Sequence, residues 1–208
     1  MQRVLALERP EPYRPDDDIV DGGCFVCFPR GKHGAGDAGD PAWAAAALED
    51  GAEAVVRAAA GAPYEAGLLA LREGPALEHA VRELKRAPDV LLVNATGRDH
   101  PRRAGLALHL GAVLGLPTVG VTHRPLVAEG RWPEEETGAF SPLVLEDETV
   151  GYWLRTRGGT RPLAIHAAWR TDPGTAVDIA MRATAGRRTP EPLRRARQAA
   201  RAARAAGV

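Results

Sequence analysis

The stretch from Pro88 to Val121 constrains the fold more than any other part of the chain. Val90-Leu-Leu-Val93 is an unbroken apolar run, as expected of a strand covered on both faces. Asn94-Ala-Thr-Gly97 ends it with turn chemistry, and His100-Pro101 opens a helical pattern with proline near the first helical position. Apolar residues at Ala104, Leu106, Leu108, Val113 and Leu114 carry that pattern to Gly115, which is placed to stop it. Pro117 to Val121 is a second apolar run. Strand, loop, helix and strand in this order predict a βαβ crossover and a parallel strand pair. In open α/β sheets the chemistry lies at the carboxyl ends of such strands. Here those ends are Asn94 and the residues just past Val121, Thr122 and His123.

The remainder of the chain fits one α/β domain over residues 1–208, long enough to bury a sizeable core. Lys plus Arg and Asp plus Glu are 27 each, so no global basic field draws a polyanion. Two cysteines, Cys24 and Cys27, form no disulfide framework, and no apolar run reaches the length of a membrane span. A cytoplasmic protein with no membrane partner is the expectation. Residues 1–18 read as a lead-in, and Asp16-Asp17-Asp18 as solvated carboxylates rather than a cation site. Ile19 to Phe28 is a strand candidate, followed by a glycine-rich loop from Pro29 to Asp40. Cys24 and Cys27 match a bare C-x-x-C, but in a strand side chains at i and i+3 point to opposite faces, so two buried thiols are expected. Residues 68–86 form an amphipathic helix, and 143–145, 150–156 and 162–168 are strand candidates. Residues 175–185 are helical by pattern. The tail 193–208 is a basic Ala/Arg helix, which without interleaved aromatic residues reads as solvated rather than phosphate-binding.

The run "PDVLLVNATGRDHPRRAGLALHLGAVLGLPTVGV" resembles the core of the endonuclease V family, whose usual form is PD-apolar-DGHG-x-x-HPR, then HLG and PTIGVAK. The likeness resumes at "PYEAGLLALREGPAL" (63–77) and "RPLAIHAAWR" (161–170). It implies a ribonuclease H-like three-layer α/β fold with a mixed central sheet between helices. It also implies a strand hairpin at Trp43–Leu48 and Ala52–Ala60, where alanine content alone favours helix. The activity implied is cleavage of a phosphodiester near a deaminated purine, with Mg²⁺ held by carboxylates and assisted by a histidine. A hard cation of this kind takes carboxylate and water oxygens.

Against that pattern most of the implied site is changed. Glu73 retains the family glutamate. Phe25 stands where the first-strand aspartate belongs, and Asp21, four residues earlier, serves only if the strand shifts or bulges. Asn94 replaces the second-strand aspartate, Thr96 the histidine of DGHG, Trp169 the histidine of the late S-x-G-H, and His123 the lysine of GVAK. The wedge that the family inserts beside its target base becomes Pro63-Tyr64-Glu65-Ala66. Tyr64 is available for stacking, while Glu65 puts negative charge at a tip meant for a polyanion. His100, Arg102, Arg98 and Arg103 at the expected helix start make an anion site or merely brace the loop.

These changes predict no metal site, or at most a poor one of Glu73 and Asn94, so no cofactor is expected and Mg²⁺ only if nuclease chemistry persists. His123 and His166 are the titratable replacements able to act as acid or base. Three functions compete: a repurposed pocket lined by Glu73, Asn94, His123 and Trp169 that binds or acts on a small molecule, a non-catalytic subunit of a protein complex, and a weak nuclease for inosine-containing nucleic acid, not favoured. An open pocket favours the first. A pocket filled by Phe25 and Trp169 favours the second.

Overall fold

The computed structural model describes residues 1–16, 18–31 and 35–207. Asp17 of the acidic run, Lys32 to Gly34 of the glycine-rich loop and Val208 of the tail lie outside the described residues.

Alternating and continuous apolar segments build a single eight-stranded sheet. In chain order its strands are β1 (Asp21–Cys27), β2 (Pro41–Leu48), β3 (Glu53–Ala59), β4 (Val90–Val93), β5 (Thr118–Thr122), β6 (Phe140–Leu145), β7 (Glu148–Leu154) and β8 (Leu163–Ala167). Their spatial order is β3-β2-β1-β4-β5-β8-β7-β6. β4 is parallel to both β1 and β5, and every other neighbouring pair is antiparallel. β4 therefore sits mid-sheet, which is why all four of its residues are apolar and buried.

The helices are α1 (Gln2–Leu7), α2 (Leu69–Arg82), α3 (Leu106–Leu114), α4 (Pro173–Arg182) and α5 (Glu191–Ala206). α2 and α3 cover one face of the sheet, packing on Cys24, Val26, Leu91 and Val93. α4 and α5 cover the other, packing on Val90, Leu92, Val119 and Ile165 and on Cys27, Trp43 and Ala45. The result is the mixed, three-layer ribonuclease H-like α/β arrangement. The two cysteines are free and buried, one in each interface.

Packing outweighs propensity in β2. Its run Ala44 to Ala47 is fully buried and carries helices on both faces, where small side chains let α2 and α5 approach. The same closeness requires Gly23 on β1, since a Cβ there would lie 2.5 Å from the Leu193 nitrogen in the first turn of α5.

Two expectations are corrected here. The helix of the crossover starts at Leu106, with Gly105 as N-cap, and not at Pro101. Residues 98–103 form turns instead, and Arg103 takes a positive φ of 55°. The lead-in also contains structure: α1 is tied down by the Gln2 amide, which donates to the carbonyls of Gly67 (2.8 Å) and Ala104 (3.0 Å). Among the described residues no helix is long and apolar enough to cross a membrane.

Candidate functional site

The carboxyl ends of β4 and β5 open on a cavity of about 240 Å³. Asn94 and Thr96 line it from the turn after β4, Thr122 from the end of β5, Leu106 from α3, and Tyr64 and Leu69 from the approach to α2. This is the strand-end position that the crossover in the sequence indicates. Asn94 is exposed, and its amide makes no hydrogen bond with the described residues. Tyr64 is 49% exposed at the rim, in keeping with a ring available for stacking. His100 also borders the cavity; its Nδ1 accepts from the Arg102 backbone N–H at 3.0 Å, and burial, with Arg102 nearby, pulls its pKa below the ordinary value.

Glu73 lies on α2, half-buried, on the face that meets β1. Burial pushes its carboxyl up to about 7, opposed by the neighbouring Arg72. The β1 side chain that feels its charge is Cys24, whose thiol is raised far above its ordinary value by burial and then by Glu73. Phe25, expected in this pocket, points the other way. It packs with Cys27 and Trp43 under α5, where the guanidiniums of Arg197 and Arg201 lie 5.3 and 5.7 Å from its ring centre. Strand alternation is the reason: successive side chains leave opposite faces, so only one of Cys24 and Phe25 can meet α2.

Asp21 is also removed from this site. It is fully buried at the amino end of β1, where Arg182 of α4 grips it with two hydrogen bonds of 2.8 and 3.2 Å on the face opposite α2. His123 is exposed, with its Nδ1 3.4 Å from both terminal nitrogens of Arg188, and is not part of the cavity wall. Trp169 packs against the core under α2 and α3 beside Gly111, also outside the cavity wall. The expected closure by Phe25 and Trp169 therefore does not occur.

The arginines of the HPR turn contact the protein itself, as the bracing alternative has it. Arg98 donates to the carbonyls of Ala6 (3.1 Å) and Glu8 (2.7 Å), and Arg103 pairs with Glu146 and Glu148. Arg102 reaches Gln2 and the Gly67 carbonyl instead.

His166 is placed where the sequence does not indicate. It is fully buried on β8, and its Nε2 lies 2.8 Å from the Thr122 hydroxyl. Its Nδ1 faces a carboxylate oxygen of Asp99 at 3.5 Å. Asp99, also fully buried, accepts the backbone N–H groups of Leu126 (2.6 Å), Val127 (2.8 Å) and Ala128 (2.7 Å). Sequence reading names Thr122 and His166 separately and passes over Asp99, because the turn that joins the three has no local signature.

A divalent cation of the kind the fold implies does not suit these donors. Magnesium takes several hard oxygens, usually with one or two carboxylates. Around Glu73 the chain supplies one carboxyl that burial raises to about 7 and a buried, protonated thiol. Among the described residues no three His, Cys, Asp or Glu side chains gather into a metal cage.

The layering, the mixed sheet and the strand-end cavity define a ribonuclease H-like protein. Within that class the family model for endonuclease V matches residues 30–198, and the chain belongs to this family. Among curated relatives it is 43% identical over 134 residues to endonuclease V of Geotalea uraniireducens, and 44% identical over 132 residues to that of Methanothrix thermoacetophila. These matches cover 64% of this chain and 57% and 59% of the relatives, so the chain matches under two thirds of their length. Among solved structures, endonuclease V of Streptomyces avermitilis superposes with a TM-score of 0.86 at 32% identity, covering 100% of this chain and 90% of that one. A Ciona intestinalis endonuclease V, solved with a 24mer DNA containing an inosine, shares the fold at TM-score 0.81 and 18% identity, covering 100% of this chain and 96% of that one.

Proposed function

We propose that this endonuclease V-like chain has lost metal-dependent phosphodiester cleavage and uses its strand-end cavity for a small, uncharged molecule. The observation that carries the reading is that the β1 side chain that feels the Glu73 charge is the buried neutral thiol of Cys24 rather than a second carboxylate. Without paired carboxylates there is no group to hold a hard cation or activate a water through it.

Cavity size and charge support the ligand class. A volume of about 240 Å³ equals roughly eight waters at liquid density, below the usual range for drug-sized ligands. Among the described residues Glu65 is the one charged group of its wall, and Arg98, Arg102 and Arg103 are committed to protein carbonyls or carboxylates. That arrangement disfavours an anionic ligand and disfavours a phosphate backbone at the Tyr64 tip. A purely structural subunit has less support, because the cavity is open rather than filled.

The test has two arms. Calorimetric titration with Mg²⁺ should show no micromolar site. Titration with 4-nitroacetanilide, a small neutral probe, should shift the amide resonances of Gly67, Thr96 and Thr122. A micromolar Mg²⁺ site, or a probe that leaves those resonances unmoved, contradicts the reading.

A further inference from the structure

The buried polar chain behind the cavity wall is the feature that the fold alone does not explain. Thr122 borders the cavity, its hydroxyl meets His166, and Asp99 stands behind His166. Both inner residues have no solvent exposure. A histidine kept only for packing satisfies its ring nitrogens, whereas the Nδ1 of His166 has no hydrogen-bond partner among the described residues and looks towards the Asp99 carboxylate. Burial holds the ring below its ordinary pKa, with Asp99 opposing, so at neutral pH it is the uncharged imidazole that can accept a proton. Two of the three residues also depart from the motifs quoted above, with Thr122 in the alanine position of GVAK and His166 in the serine position of S-x-G-H.

We propose that Thr122, His166 and Asp99 form a metal-free nucleophilic site that hydrolyses small neutral esters bound in the cavity. The proposal rests on the small-molecule reading of that cavity. A nucleophile, a base within hydrogen-bond reach and a third group orienting the base are what hydroxyl-based acyl transfer needs. The threonine proton has two neighbours, the Arg124 carbonyl at 2.7 Å and His166 Nε2 at 2.8 Å. For attack it lies on the Nε2 side, with the imidazole proton on Nδ1 towards Asp99.

The first half-reaction forms a bond from Thr122 Oγ to the acyl carbon, and the Oγ proton passes to His166 Nε2. The ester C–O bond then breaks, and the departing alkoxide takes that proton and leaves as the alcohol. In the second half, water gives a proton to Nε2 and adds to the acyl carbon. The acid departs and Oγ recovers its proton. Asn94, whose amide makes no hydrogen bond with the described residues, is a donor for the carbonyl oxygen, and Leu69, Leu106 and Leu126 offer an apolar wall to a short acyl chain. Thr122 and His166 are the catalytic residues, and Asp99 is a positioning residue.

The experiment uses the full chain with 4-nitrophenyl acetate. The unaltered protein should release nitrophenol above the buffer rate, Thr122→Val should lose at least about 100-fold in kcat/KM with an unchanged melting temperature, and Thr122→Ser should retain activity. Asp99→Asn should lower kcat while KM stays constant, a split that a merely structural role does not produce. Mass spectrometry after rapid quenching should find an acetyl group on the peptide carrying Thr122. If 4-nitroacetanilide binds but Thr122→Val hydrolyses the ester as fast as the unaltered protein, the nucleophile assignment is wrong and the ligand reading stands. If the anilide does not bind, the ligand reading itself fails. Should His166→Ala not fold, the acetyl adduct and the Thr122 pair still decide.

Discussion

Glu73 is a carboxyl whose burial on α2 shifts its ionisation strongly. A carboxyl with a folded pKa of about 7 keeps its proton while the unfolded chain, near 4.5, has already released it. Stability due to this group is therefore complete below about pH 4.5, declines as pH rises towards 7, and stays lower above that. Glu73→Gln should accordingly stabilise the protein at pH 8, by up to about 3 kcal/mol, and change little at pH 4, as read by urea unfolding at the two pH values. The orientation of β1 gives a second residue-level prediction. Asn94→Asp combined with Cys24→Asp should gain measurable Mg²⁺ binding by calorimetry, because position 24 faces Glu73. Asn94→Asp with Phe25→Asp should gain none, because position 25 faces α5.

At the scale of elements, α4 and the α5 contact are the places where single groups hold a helix. Asp172 caps α4 by accepting the Thr175 backbone N–H at 2.8 Å, and it also pairs with Arg14. Burial alone would raise its pKa, but these hydrogen bonds outweigh it and hold the carboxyl below its ordinary value. Its contribution is thus present above the unfolded pKa and is lost as pH falls through the folded one. Asp172→Ala should cost about 1 kcal/mol at pH 7, and the difference from the unaltered protein should shrink in acid. Gly23→Ala pushes a methyl into the backbone of α5 and should cost about 1–3 kcal/mol, measurable by thermal unfolding.

Elements with strong patterns were the legible ones. The apolar runs at 90–93 and 117–121 announced a parallel pair, and Gly115 announced the helix stop. The helix start was not legible, since His-Pro resembles a helix entry and tertiary partners of Arg98, Asp99 and Arg103 hold that segment in turns. The alanine strand β2 was legible through resemblance alone, because burial between two helices overrides its propensity.

For the whole molecule, the sheet and its two helical layers place a small cavity where the β4–β5 crossover indicates one. Resemblance identified Glu73 and Asn94, but facing was beyond it: which of Cys24 and Phe25 meets α2 depends on strand register, and a one-residue difference inverts the answer. The Asp99–His166–Thr122 chain joins a turn and two strands, so no spacing in the sequence reveals it. The central claim is that inherited metal-dependent cleavage is gone from this fold. Its most direct test incubates the protein with Mg²⁺ or Mn²⁺ and an inosine-containing oligonucleotide. The account predicts no strand scission above the protein-free control; robust nicking that disappears in Glu73→Ala would contradict it.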